Sequence, residues 1–327
     1  MLSNKRIAML VAVFVIAIFI ADSAAQAETD KINFGYRLTM VSMILLQGKF
    51  IEKYDLEMDS KLFTTGIEMR EGIITEKVHI GEVGITPTSV ALTRAGEGLQ
   101  VVGVSEWGGG KYRVMVKTDS PYKSIKDLVG KKVAIKIGSG CYVAFLLYID
   151  KHGLKEKDFK ILNSGDQEAI AAMEEGSIDA VIYWEPVVSV LEAKGIAKEL
   201  ANFSEVVRNP VFLITQKKFA DNNRSALVKF LAAFADAQEL IMTDRSTAAD
   251  MVVKSLASHG QKTDKAVYEK ALSHSVYEPY LKPMLIEDLK ENWQTLVQKG
   301  KLKGNEPDWN GIIHPEYLEE AMKLRGK

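Results

Sequence analysis

The sequence predicts an α/β protein built as two lobes, with a helical tail. Three observations carry this. Strand-like and helix-like segments alternate from residue 31, the same rhythm restarts near residue 112, and after residue 216 only helical patterns remain. Strands alternating with helices at this spacing favour mainly parallel sheets covered on both faces.

In the first run, residues 31–36 read as a strand. Residues 40–53 read as a helix with Met43, Ile44, Leu46, Phe50 and Ile51 on its apolar side. A strand at 56–62, a helix at 67–74 and a short strand at 78–83 follow. Then comes a helix at 87–94, with Pro87 in its first turn, where a missing N–H costs nothing. A hydrophobic strand at 99–105 runs into Trp107 and the triplet Gly108-Gly109-Gly110.

The second run places strands at 112–117, 132–137, 159–162 and 178–183, with helices at 124–129, 141–152, 167–175 and 186–194. A last strand is expected at 211–216. Two such runs, joined near 107–117 and near 208–214, predict two Rossmann-like lobes linked by two crossover segments. Helices are expected at 225–243, 246–258, 264–273, 282–299 and 315–323. In the first of these Leu227, Phe230, Leu231, Phe234 and Leu240 recur at helical spacing. No Gly/Ser or Pro linker sets this tail apart, so it is assigned to the first lobe. The expected division is 28–113 with 212–327 for lobe 1, and 114–211 for lobe 2.

The amino terminus predicts export. Lys5 and Arg6 precede an apolar stretch at 7–20, and Ala25-Gln26-Ala27 is a small-residue exit, the three parts of a secretory signal peptide. The stretch is shorter than the ~20 apolar residues of a spanning helix. No Cys follows it to take a lipid. Cleavage after Ala27 is expected to leave a soluble chain with no stable membrane insertion. The 42 basic and 43 acidic residues of the full sequence nearly cancel and no basic block occurs, so nucleic acid has no electrostatic footing. The single Cys141 excludes an intramolecular disulfide, and the fold must rest on its hydrophobic core.

Enzyme signatures are absent: no Walker A loop, no G-x-S-x-G elbow, no H-E-x-x-H. The five histidines are scattered without metal-ligand spacing, so neither a metal nor a cofactor is expected. The strongest local candidate is Gly138-Ser139-Gly140-Cys141-Tyr142, between a buried strand and a helix. Helix starts present unpaired N–H groups and the positive dipole end, so an anion could sit there without Lys or Arg. Ser139 equally suits a plain helix cap, and both readings stand. Cys141 would have a lowered thiol pKa at a helix start. No histidine is recognisably placed to activate it, so catalysis by Cys141 is not expected.

A second candidate is the strand end at Trp184 and Glu185. Carboxyl ends of parallel strands face the crevice where α/β proteins bind ligands. Trp184 could stack on a ligand and Glu185 could meet an amine or hydroxyl, or they could serve the core and the next helix. The strand ends of the first lobe add Tyr36, Thr39, Thr65, Gly66, Thr86 and Trp107.

Several stretches together resemble one family. Residues 48–58 (GKFIEKYDLEM) are similar to the G-x-F-x-x-x-G-L-x-V segment of nitrate-, taurine- and alkanesulfonate-binding proteins. Residues 124–134 (SIKDLVGKKVA) match their S-x-x-D-L-x-G-K-x-V-A. Gly138-Ser139 falls where their ligand loop lies, and Asp179-Ala180 with Trp184-Glu185-Pro186 looks like D-A-x-x-x-W-D-P. The resemblance spans residues 31–216 in order. It implies the type II periplasmic binding fold, and capture of a small, anionic solute (a sulfonate, carboxylate or nitrate) between the lobes. Handover to the permease of an ABC importer, a periplasmic location and a monomer are implied with it. Ser139 and its neighbours would hold the anionic group, with Trp184 and Glu185 near the other end. Glu185 replaces the usual Asp, Cys141-Tyr142 stands where sulfonate binders often have Thr and His, and Arg37 is the one basic residue expected near the pocket. A related branch binds or makes the thiamine pyrimidine; its enzyme form carries a cysteine-rich cluster that this chain lacks. That enzyme and a ligand-sensing module for a receptor are the alternatives.

Overall fold

Two five-stranded sheets organise residues 29–327, which the computed structural model describes. The expected signal peptide at 1–27 lies outside the described residues. The first sheet has the strand order Leu56–Leu62, Asp30–Tyr36, Ile80–Gly84, Val211–Gln216, Leu99–Glu106, and the second Lys160–Asn163, Lys132–Ile135, Ala180–Trp184, Tyr112–Lys117, Ala197–Asn202. In the first are β1 (Asp30–Tyr36), β2 (Leu56–Leu62), β3 (Ile80–Gly84) and β4 (Leu99–Glu106), with helices α1 (Met40–Gln47), α2 (Gly66–Ile74) and α3 (Ile85–Ala95) between them. In the second are β5 (Tyr112–Lys117), β6 (Lys132–Ile135), β7 (Lys160–Asn163), β8 (Ala180–Trp184) and β9 (Ala197–Asn202). Its helices are α4 (Gly140–Lys151), α5 (Asp166–Glu175) and α6 (Val187–Ala193). β10 (Val211–Gln216) then returns to the first sheet.

The sheets are mainly parallel, as expected, but each holds one reversed strand. β1 runs parallel to β2 and β3, but β10 is antiparallel to both β3 and β4. In the second sheet β6 is parallel to β7 and β8, while β5 is antiparallel to β8 and β9. The reason is topological. β5 and β10 are the strands that arrive from the other lobe, and each enters its sheet from the opposite end. The sheets therefore change between Glu106 and Tyr112 and again between Asn202 and Val211. Tyr112 and Arg113 thus lie in the second sheet, and Val211 in the first, two residues and one residue away from the boundaries expected.

Other differences are local. The helix expected over 40–53 stops at Gln47, where Gly48 turns to an extended backbone, and Glu52–Tyr54 is a short 3-10 turn. Residues 124–129 hold only the 3-10 turn Ile125–Leu128, closed by a Ser124/Asp127 capping box. β9 was not expected, because AKELAN is a half-exposed edge strand with no apolar run.

The tail comprises α7 (Lys217–Asn222), α8 (Arg224–Thr243), α9 (Arg245–Ser258), α10 (Lys265–Ala271), α11 (Pro283–Gln298) and α12 (Glu316–Leu324). It belongs to the first lobe by packing: Phe230 and Phe234 of α8 lie 5.0 and 6.4 Å from Phe34 of β1. It also covers the end strand β4, whose Val101 and Val104 N–H groups donate to the Ile312 and Pro279 carbonyls (2.9 and 3.0 Å). A covered edge leaves no unpaired ladder to solvent. No helix of the described residues is long and apolar enough to cross a membrane.

The crossings pack against each other. Gly108 donates its N–H to the Arg208 carbonyl (2.6 Å), and Gly109 sits so close to the second crossing that a Cβ would meet Val207 O at 2.1 Å. Below them, Arg113 of β5 is 1% exposed and gathers the second lobe. Its guanidinium donates to Glu185 (2.7 Å), Ser189 Oγ (2.8 Å), Glu192 (2.9 Å) and Glu199 (3.4 Å). Lys270 of α10 reaches Glu192 as well (2.9 Å), joining the tail of one lobe to the other. The two carboxyls respond oppositely. Burial pushes Glu185 up to about 7 against the pull of Arg113. The more exposed Glu192 is held low, its burial outweighed by hydrogen bonds from Arg113 and Lys270.

Two expectations follow from this packing. Gly109→Ala should cost roughly 1–3 kcal/mol by overpacking, whereas Gly98→Ala, with nothing within 4 Å of the added carbon, should stay within about 0.5 kcal/mol; urea unfolding of both variants checks this. Because folded Glu185 holds its proton more tightly than the unfolded carboxyl, the stabilisation present below about pH 4.5 is lost as the pH rises through about 7. Relative to Glu185→Gln, the wild type should lose roughly 3 kcal/mol between pH 4 and pH 8. An unchanged difference in unfolding free energy at the two pH values would contradict the raised carboxyl.

Candidate functional site

A cavity of about 450 Å³ opens between the lobes, lined by both sheets' carboxyl-end loops. Five helices of eight or more residues begin at its wall: α1 at Thr39, α2 at Thr65, α3 at Gly84, α4 at Ser139 and α5 at Gly165. This follows from the βα pattern, since each helix that follows a strand starts at that strand's carboxyl end. Each start leaves N–H groups without an intrahelical partner and carries the positive end of a dipole. Positive ends from both lobes therefore meet in one cleft.

Seven of the twelve residues expected at the site line this cavity: Thr39, Thr65, Gly66, Ser139, Gly140, Trp184 and Glu185. Several of these side chains are engaged within the protein, and for Ser139 the capping reading is the one found. Ser139 caps α4: its Oγ accepts from the Tyr142 N–H (3.1 Å) and donates to the Lys136 carbonyl (2.7 Å). The hydroxyl is filled, and the open N–H groups of the first turn are what α4 offers. Thr65 caps α2 by accepting from the Glu68 N–H (3.1 Å). Glu185, which could have met a ligand amine or hydroxyl or served the next helix, has its carboxylate on Arg113 and the Ser189 N–H of that helix.

Five residues lie elsewhere. Thr86 is buried on the face of α3 that meets α11, where its Oγ1 accepts from Asn292 Nδ2 (3.2 Å). Trp107 pairs with Val276 of the tail, exchanging both N–H···O bonds, with the Lys282 ammonium 5.6 Å from its ring centroid. Cys141 has no exposure and packs into the second lobe's core, and burial pushes its thiol well up, so it is neither a ligand contact nor a ready thiolate. Tyr142 turns away to donate its hydroxyl to Glu156. Tyr36 packs on the first core and pairs its hydroxyl with His259 Nε2 (3.3 Å). The common reason is periodicity. Neighbours along a helix or strand point to different faces, so a run of residues near a site contributes only some of its members.

The structure adds residues that the sequence reading did not single out. Lys136 follows β6, Asp166 opens α5, Lys111 and Glu106 flank the first crossing, and Gln261 reaches in from the loop after α9. Lys136 and Asp166 stand at strand ends, the same signal that singled out Trp184; nothing local marks Gln261. Arg37, expected as the one basic residue near the pocket, lines it together with Lys111 and Lys136, and its Nε is buried without a hydrogen-bond partner.

The charges sort into used and unused groups. Lys111 is neutralised by Glu106 (2.9 Å), Glu185 by Arg113, and Glu168 caps α5 by accepting from the Gly165 N–H (2.8 Å). Among the described residues neither Arg37 nor Lys136 makes a salt bridge. Asp166 faces both, and burial pushes its carboxyl up against their pull. Beside Asp166, the cleft is thus left with two basic side chains and several helix starts for a ligand. Among the described residues no group of three or more His, Cys, Asp or Glu is placed to hold a metal ion. A second recess of about 550 Å³, by Ile73, Lys217 and Asp221, is lined by the first lobe alone.

Comparison with known proteins gives these features a family. A protein of Escherichia coli (strain K12) named for binding aliphatic sulfonates is 25% identical over 85% of this chain and 93% of its own. The taurine-binding periplasmic protein of the same organism is 25% identical over 66% of this chain and 68% of its own. Among solved structures, the alkanesulfonate-binding protein SsuA from Xanthomonas axonopodis pv. citri, bound to MOPS, superposes with a TM-score of 0.78 over 88% of this chain and all of its own, at 21% identity. That likeness is one of fold, the two-lobed fold of periplasmic binding proteins. The fold also carries enzymes: the desulfurization enzyme DSZB superposes at a TM-score of 0.67 over 90% of this chain and 99% of its own, at 14% identity. The family described as NMT1/THI5 like matches residues 67–248. With more than half of its length matched, this chain belongs to the NMT1/THI5-like family, and the relatives named for a function among those compared by sequence are solute-binding proteins.

Proposed function

We propose that this chain is the solute-binding component of an ABC importer. It is exported, processed after Ala27, and works in the periplasm as a monomer. It captures a small organic anion between its lobes and hands it to a permease. One observation carries the reading: five helix starts, Arg37 and Lys136 converge on one cavity whose own acids are mostly engaged elsewhere. Helix N-termini are ready anion sites, and a basic side chain adds a charge-assisted hydrogen bond. The relatives named for sulfonates and taurine support the same ligand chemistry.

Size and lining favour an organic anion over nitrate. The cavity of about 450 Å³ falls in the ~300–1,000 Å³ range of small-molecule sites. Leu38, Phe63, Ile67 and Trp184 give it an apolar wall for a carbon chain or ring. Ligand contacts made to both lobes at once favour the closed arrangement, and closure would be what the permease reads.

The test is a thermal-shift and calorimetry screen of residues 28–327 against alkanesulfonates, aliphatic and aromatic carboxylates, nitrate, and amines of matched size. Organic anions should raise the melting temperature, with about 2.7 kcal/mol of stabilisation at a hundredfold excess over Kd. Arg37→Gln should weaken the best anion at least tenfold, as loss of a charge-assisted bond implies. Stabilisation by amines alone, or by nothing in the set, would sink the proposal.

A further inference from the structure

Glu82 of β3 is 1% exposed, yet among the described residues its carboxylate makes no salt bridge. Three hydroxyls donate to it instead: Thr39 (2.6 Å) and Ser42 to Oε2, and Ser105 to Oε1. Ser42 lies on α1 and Ser105 on β4, and both are fully buried, so they fix the carboxylate in place from two sides. Thr39 is different. It is half-buried, and it lines the cleft.

A hydroxyl has one proton and two lone pairs, and the Glu82 oxygens accept from all three hydroxyls. Thr39 directs its single proton inward to Glu82, which leaves its oxygen only lone pairs to offer the cleft. The other two hydroxyls at helix starts are set differently. Thr65 uses a lone pair on the Glu68 N–H and keeps its proton, while Ser139 both donates and accepts within the protein. The three positions would otherwise look interchangeable in the sequence.

We propose that Glu82 acts as a positioning residue that locks Thr39 as an acceptor, so the cleft selects anions that also carry an O–H or N–H donor. The inference rests on the anion-binding reading of the same cleft. A ligand with a methyl group in place of the donor would leave Thr39 unpaired and desolvated. Sites built around a hydrogen bond discriminate strongly against analogues that lack it.

The experiment uses two matched trios of probes on the full processed chain. The first is ethanesulfonate bearing ammonium, hydroxyl or methyl at carbon 2. The second is propionate bearing the same three groups at carbon 3. Wild type should bind the ammonium or hydroxyl member of a trio at least tenfold more tightly than the methyl member. Thr39→Val should bring that ratio to within about threefold, and Thr39→Ser should restore it, a pattern that a merely structural role for Thr39 would not produce. Glu82→Gln, which can donate as well as accept, should lower the ratio too; if it fails to fold, the Thr39 pair decides. Equal affinity across each trio in the wild type, or a ratio unmoved by Thr39→Val, overturns this inference alone. The same holds if neither trio binds while larger anions do. If no anion binds at all, the proposed function falls with it.

Discussion

Everything in this molecule depends on how the chain passes between its lobes. It does so twice, and the two passages touch through backbone rather than side chains, with Gly108 hydrogen-bonded to Arg208. The second passage is held from both sides. Arg208 forks onto Asp288 of α11 in the first lobe (2.8 and 2.6 Å), and Asn209 Nδ2 donates to the Gly140 carbonyl of α4 in the second (2.9 Å). Asn209 adopts a φ of 48°, in the left-handed region that Asn enters more readily than most residues. The strands that leave these passages enter their sheets antiparallel to their neighbours, and that sense of entry places the carboxyl ends of both sheets on one cleft.

The chemistry of the cleft is a matter of local accounting. Over the whole sequence basic and acidic residues nearly cancel, and nothing in that balance points to an anion. Inside the cleft, however, Glu106, Glu168 and Glu185 are engaged by Lys111, a helix start and Arg113, while Arg37 and Lys136 are not so engaged. The helix starts act in the same direction. Their fields fall off within a turn, so only a group brought among several of them gains the combined effect. The cleft between the two lobes supplies that condition.

Much of the fold was legible because its signals are strong and local. Apolar strands such as Leu99–Glu106 and the heavily periodic Arg224–Thr243 stand out against their flanks. What the sequence hid were properties set by distant partners: the sense of β5 and β10, the edge strand β9 with its polar composition, and the early end of α1. The cleft behaved likewise. Strand ends pointed to Thr39, Thr65, Ser139 and Trp184, all of which line it. Cys141 and Tyr142 were carried along by adjacency, although the turn of α4 sends both into contacts away from it. Gln261 comes from a loop between tail helices and is brought in only by tertiary packing.

The order of strands has a consequence for how the chain can be assembled. In the first sheet β4 is joined to the rest only through β10, although β4 ends at Glu106 and β10 begins at Val211. The second sheet, by contrast, is drawn entirely from the stretch between them. The lobe that begins at the amino terminus therefore cannot be completed until the other has been fully synthesised and its own tail has followed. A chain emerging from its ribosome would have its middle ready to fold first, and the part that appeared earliest would be finished last.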